Sequence, residues 1–435
     1  MGALGEAARR LTITGVILCL LAASSSRPQT NAPDPAQLVR QKAYLEAEAA
    51  LSPNTGLSPL DSAFLQGVMA NRRNRVPDSI RLLTPLLPVL AATSSEKAII
   101  ALSTLADDYE KSFRYGDAAD AYSQLDREFG AYMSEPERRR AHNEAARWNL
   151  LREAPPQTLT LAAPFTLRTT RDPLGLPEAA VRLKGLTMPM ILDTGANLCV
   201  MSRSTARGLG LALSSAQATT RGAVGDATTV HTTIVPDLQL GDALLRNVAF
   251  MVLDDKDLNF PQLHYRLPGS IGFPVLSALG KITFFADGRL GVDSGTATTT
   301  RGPGNLFLDR LTPVVAVALK GSSRLFTIDT GATGSYLSAL YYAAHLAEFE
   351  DQVPGGMELT GAGGSKLVSV YHVRSAALLL GGACIGLEDV PVLTEPRGPL
   401  DDGFYGNIGQ DALRQSRSYT FDFRTMNFTI EVKGC

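Results

Sequence analysis

Two aspartates stand in matching contexts. Asp193 ends the apolar run Met190-Ile191-Leu192 and opens an Asp-Thr-Gly-Ala quartet; Asp329 follows Ile328 and opens the same quartet. A carboxylate ending an apolar strand is poorly solvated and unfavourable unless it gains partners. Gly195 and Gly331 permit a backbone geometry that other residues resist, and let an amide approach the carboxylate closely. Thr194 and Thr330 offer hydroxyls that can fix each turn to a neighbour. Two carboxylates in contact do not both ionise easily, so one proton is shared and the apparent pKa values split. The ionised member can then take a proton from water as general base, while the protonated member polarises a carbonyl and donates to the leaving group. Such chemistry requires no covalent intermediate, metal or cofactor.

A duplication is what would bring the pair together. Residues 177–202 and 313–338 align without a gap at an offset of 136, with 11 of 26 positions identical, including Lys184-Gly185 and Lys320-Gly321. Gly269-Ser270-Ile271-Gly272 matches Gly406-Asn407-Ile408-Gly409 at an offset of 137. Two halves of this size imply two lobes about a pseudo-twofold axis, with the aspartates near it. From Leu159 onward Thr, Val and Leu alternate with polar residues and Gly is frequent, the pattern of short strands and tight turns. Residues 287–304, rich in Gly and Thr, are expected to link the lobes.

The halves resemble the aspartic peptidases of the pepsin and retropepsin type. Asp-Thr-Gly-Ala after an apolar pair is similar to their catalytic signature, and Ile271-Gly272 and Ile408-Gly409 match their later hydrophobic-Gly element. Asp193 lies 79 residues before Gly272 and Asp329 80 before Gly409, spacings that suit two retropepsin-like lobes fused in one chain. The resemblance implies a bilobal β-barrel acid-protease fold over residues 159–297 and 305–433. It implies endopeptidase activity with Asp193 and Asp329 catalytic, and Thr194, Gly195, Thr330 and Gly331 supporting them. It also implies a β-hairpin flap in each lobe. The candidates are Gly222, Ala223, Val224 and Gly225 in the first lobe and Gly361, Ala362, Gly363 and Gly364 in the second. No Tyr lies near Gly222, a departure from the single-chain pepsin pattern. Ala196 and Ala332 supply no hydroxyl after each Gly, so the pair's pKa values should stay high and activity should fall at mildly acidic to neutral pH.

The remaining chain must position these lobes or deliver them. Arg9 and Arg10 precede an uncharged stretch, 11–23, and three serines. This pattern predicts a signal peptide over 1–26 and export to a periplasm or the exterior, with an uncleaved anchor as the alternative. After a linker, 27–35, residues 36–152 are rich in Ala, Leu, Glu and Arg and predict helical hairpins. Gly116 and Asp117 are the expected break in one of them. The region resembles tetratricopeptide-type repeats; it would serve either as a prodomain or as a docking site for a protein partner. The fold class is therefore multidomain, α followed by all-β. Beyond Cys19, Cys384 could pair with Cys435 or all three remaining cysteines could be thiols, and Cys199 is expected to be a buried small hydrophobe.

Composition excludes several functions. Hydrophobic residues make up 45% and charged residues 19%, with a net charge of −2, which offers no nucleic-acid footprint. No stretch after the signal is long and apolar enough to span a membrane. The expected partner is a peptide or protein substrate. His231 and His372 are strand residues rather than metal ligands, and no nucleophile elbow, Walker loop or His-Glu-x-x-His is present. The competing function is a catalytically silent peptide-binding scaffold, which the retention of both aspartates disfavours.

Overall fold

The computed structural model describes residues 34–53, 55–221, 227–261, 264–295, 304–362, 364–396 and 403–432. The expected signal peptide, most of the first linker, 222–225, Gly363 and Cys435 lie outside them. Three helical hairpins come first: α1 (Pro35–Arg40) with α2 (Tyr44–Ala50), α3 (Pro59–Arg72) with α4 (Val76–Thr93), and α5 (Ser95–Lys111) with α6 (Tyr115–Phe129). Helix α7 (Glu135–Asn149) follows, opened by a capping box between Ser134 and Glu137. Each hairpin turns on one left-handed residue, Lys42, Asn74 or Phe113. The next amide then bonds back to a carbonyl in the helix, Ala43 to Leu38, Arg75 to Ala70 and Arg114 to Tyr109. This is a Schellman-type stop used three times. The break therefore falls at 112–114, not at Gly116 and Asp117, which occupy the first turn of α6. Asp117 suits that turn, because a carboxylate there faces the positive end of the helix and meets Arg114 at 2.6 Å.

The β region repeats one plan twice. Strands Pro177–Leu183 and Leu186–Leu192 join through Lys184 and Gly185, both at positive φ (45° and 84°). Strands Thr312–Leu319 and Ser322–Ile328 join through Lys320 and Gly321 in the same way (50° and 78°). These are two-residue turns whose twist matches that of their strands, which accounts for one duplicated dipeptide. Strand Gly269–Ile271 then runs parallel to the first of these inner strands, and Gly406–Ile408 parallel to the second.

One sheet joins the lobes. Strand Lys281–Phe285 pairs antiparallel with Ser416–Asp422, and Thr283 faces Thr420 with their hydroxyls 2.9 Å apart. These threonines are 137 residues apart, the offset of the duplication, so the pseudo-twofold axis passes between them. Strands Arg289–Asp293 and Phe165–Arg171 extend the sheet on one side and Asn427–Val432 on the other. The expected linker 287–304 is thus corrected at its start. Leu290 and Val292 are buried in strand Arg289–Asp293, an alternation hidden by the Asp and Gly around it.

The helices are bolted to the second lobe at the turn Asp309-Arg310, where Arg310 takes a positive φ. Asp309 accepts from Tyr44 at 2.7 Å and pairs with Lys42 at 3.0 Å. Arg310 pairs with Glu110 at 3.3 Å and Glu144 at 3.0 Å. Arg73 donates to the carbonyls of Gly304 and Leu306, each at 2.7 Å, and stacks on Phe307. Cys384 is disulfide-bonded, so the all-thiol alternative is excluded; its expected partner, Cys435, lies outside the described residues.

Truncating Arg310 would leave buried Glu110 with only the Tyr122 hydroxyl at 2.8 Å and Glu144 with Arg147 as its one buried cation. Arg310→Ala is expected to destabilise the chain by about 3–5 kcal/mol in urea titration. A loss under about 1 kcal/mol would show that this seam carries little of the docking.

Candidate active site

Each inner strand ends in one aspartate, and its amide is held from beneath. The Asp193 amide donates to Ile271 O and the Asp329 amide to Ile408 O, both at 2.9 Å. Gly272 and Gly409 follow those carbonyls in closely packed backbone. A Cβ on Gly272 would come 2.8 Å from Ala196 O, and one on Gly409 3.0 Å from Ala332 O. The loops therefore rest on glycines that no side chain can replace without displacement.

The two threonines lock the loops together across the axis. The Thr194 amide donates to Thr330 Oγ1 and the Thr330 amide to Thr194 Oγ1, each at 3.0 Å. Each hydroxyl then donates onward into the opposite strand, Thr194 to Ile328 O at 3.2 Å and Thr330 to Leu192 O at 2.6 Å. Both side chains are fully buried, so every polar group in this lattice depends on the others.

That lattice sets the carboxylates against each other. Asp193 and Asp329 are in side-chain hydrogen-bond contact. A Cβ on Gly195 would collide with the Asp329 carboxylate, and one on Gly331 would lie 2.5 Å from Asp193 Cγ. Asp193 Oδ1 accepts the amides of Gly195 (2.9 Å) and Ala196 (3.0 Å), and Asp329 Oδ1 that of Gly331 (2.7 Å). Burial and then the neighbouring Asp329 push the Asp193 carboxyl well above the usual range, against the opposing pull of the amides. Both aspartates remain partly open to solvent.

Beneath the loops the symmetry is chemical in one place and broken in another. The Gly272 amide donates to Cys199 Sγ at 3.3 Å, and the Gly409 amide to Ser335 Oγ at 2.9 Å. Cys199 and Ser335 are counterparts at the offset of 136, and Cys199 is buried and free, as expected. The second lobe adds a carboxylate where the first has Pro274: Asp411 accepts from the Ser335 hydroxyl at 2.6 Å and its amide at 2.9 Å. Gln410, fully buried, donates to Thr330 O at 3.0 Å. Sequence inspection missed Ser335, Gln410 and Asp411; aligning Cys199 with Ser335 at the duplication's offset was the signal available.

Of the eight flap candidates, Gly361, Ala362 and Gly364 have a described place. Gly361 pairs with Gly364 at the tip of the hairpin made by strands Gly355–Gly361 and Gly364–Leu380. Strands Ala218–Arg221 and Ala227–Leu240 pair in the first lobe and bracket 222–225. His231 and His372 lie on the long strands of these hairpins.

Residues 179–275 match the family model described as aspartyl protease. The match spans the first hairpin, the Asp193 loop and the strand that supports it. The second lobe reproduces the same arrangement around Asp329 by its own contacts. No curated protein matches the chain.

The raised Asp193 pKa has a consequence for stability. A carboxyl whose folded pKa exceeds its unfolded value of about 3.9 stabilises the fold below that value and ceases to as pH rises through the folded pKa. Asp193→Asn, which cannot ionise, is therefore expected to raise Tm at pH 7, with the gain vanishing towards pH 4. Equal Tm values at pH 7 would contradict the coupling. Gly331→Ala is expected to lower Tm at every pH, since its methyl group would meet Asp193.

Proposed function

We propose that the chain is an aspartic-type peptidase that hydrolyses peptide bonds with water held between Asp193 and Asp329. The observation that carries this is the contact of two carboxylates, one from each lobe, across a pseudo-twofold axis. One proton on the pair suits the chemistry: the ionised oxygen draws a proton from water while the protonated one polarises the scissile carbonyl. The same proton later reaches the leaving nitrogen. Amides of Gly195, Ala196 and Gly331 orient the carboxylates, and the threonine lattice keeps them from drifting apart. A substrate would lie extended and pair its backbone with strand edges, as strand-like peptides do.

The residues at the N-terminus support export of this activity, by the basic and then apolar pattern of 9–26. No described helix is long and apolar enough to cross a membrane. The repeat-like character of the helical region rests on its sequence.

Full-length protein incubated with peptide libraries across pH 3–8 is expected to cleave best at mildly acidic to neutral pH. The raised pKa of Asp193 keeps a proton on the dyad there, and loss of that proton should end activity on the alkaline side. Asp193→Asn and Asp329→Asn should each lower kcat/KM by about 10³-fold or more, because the two act as a unit. Cleavage unchanged in either variant would refute the assignment, as would a wild type that cuts nothing.

A further inference from the structure

The axis that runs between Thr283 and Thr420 also relates the two ends of any cleft crossing the dyad. Two bare lobes would leave both ends equally open. That equivalence is broken at three pairs of counterparts, at the first and third of them by the helices. The first pair is the hairpins. Helix α7 packs on strand Ala218–Arg221 of the first lobe, where Ala218 and Val230 are buried. In the second lobe Leu367, on the corresponding hairpin, is 73% exposed.

The second pair is the loop ends beyond the aspartates. Asn197 is partly covered and accepts from Thr312 at 3.3 Å, and Leu198 is buried. Their counterparts Thr333 and Gly334 are exposed. Tyr115, the first residue of α6, stacks on buried Trp148 at 5.4 Å, and burial first, then the neighbouring Cys199, push its phenol pKa up. The third pair is the opening turns of the lobes. Asp309 is buried in the helical seam, whereas Pro173, its counterpart at the offset of 136, is exposed. The covered members of all three pairs are linked: Thr312 ties the second lobe's turn to the first lobe's loop, and the helical region that grips that turn at Asp309 also packs on the first lobe's hairpin through α7.

We infer that the helical region is a fixed end wall of the cleft, so that a substrate chain extends freely past the dyad in one direction only. The substrate class is then a polypeptide end, cut within a few residues of one terminus, rather than the interior of a long chain. A removable cover would sit on a weak seam; this one uses buried ion pairs at Asp309 and Arg310 and two guanidinium–carbonyl bonds from Arg73. The inference rests on the peptidase assignment and narrows its substrate.

The test uses the full chain and a linear peptide that it cuts, lengthened first on one side of the scissile bond and then on the other. Lengthening on the open side should leave kcat/KM nearly constant. Lengthening on the walled side beyond a few residues should lower it by about 100-fold or more. A head-to-tail cyclic version, which has no end, should resist cleavage. Equal tolerance on both sides, or cleavage of the cyclic peptide at the linear rate, overturns the wall while leaving the peptidase assignment intact. If no linear peptide is cut at all, both fall together.

Discussion

Two threonine hydroxyls, each accepting an amide from the other lobe and donating to a carbonyl beyond it, hold the centre of this protein. Neither loop can satisfy its own buried polar groups, since the partner of each lies on the opposite strand. A buried amide left without an acceptor costs roughly 1–3 kcal/mol, so the lobes close on one register or leave several such groups bare. Closing on that register drives two carboxylates into contact. The unfavourable meeting of Asp193 and Asp329 is therefore imposed by the lattice beneath it, and amides at Gly195, Ala196 and Gly331 offset part of the cost.

The rest of the β region serves that contact. The sheet through Thr283 and Thr420 fixes the relation of the lobes some distance from the dyad, and the glycines at 272 and 409 let supporting strands approach the loops from below. Symmetry stops where it is not needed. Phe273, whose amide donates to Ala196 O at 2.8 Å, and Cys199 underlie the first loop, while Gln410, Ser335 and Asp411 underlie the second. The helical hairpins add a larger asymmetry, because they grip the second lobe's turn and lean on the first lobe's hairpin.

Much of this was legible in the sequence because duplication converts a short motif into a geometric constraint. Asp193 and Asp329 could be paired before any coordinates, since an offset of 136 carries Lys-Gly turns, Thr and Gly along with each aspartate. The helical region was legible in kind, from its Ala and Leu periodicity, but not in its turns. Phe113 takes a left-handed conformation that composition does not announce, whereas Gly116 invites a break it does not make. Strand Arg289–Asp293 was obscured by turn-forming neighbours, and its burial depends on a sheet built from both ends of the β region. Nor did any local signal foretell that Arg310 would sit between Glu110 and Glu144, two hundred residues upstream in one case.

A shared proton would make the two aspartates a single titrating unit. Carbon-13 NMR of the Asp193 and Asp329 carboxyl carbons, assigned by comparing wild type with each Asn variant, measures this directly. One proton should stay on the pair as pH rises past the ordinary carboxylate range, with both resonances responding to its loss. Two independent titrations near the unperturbed value of about 3.9 would contradict it.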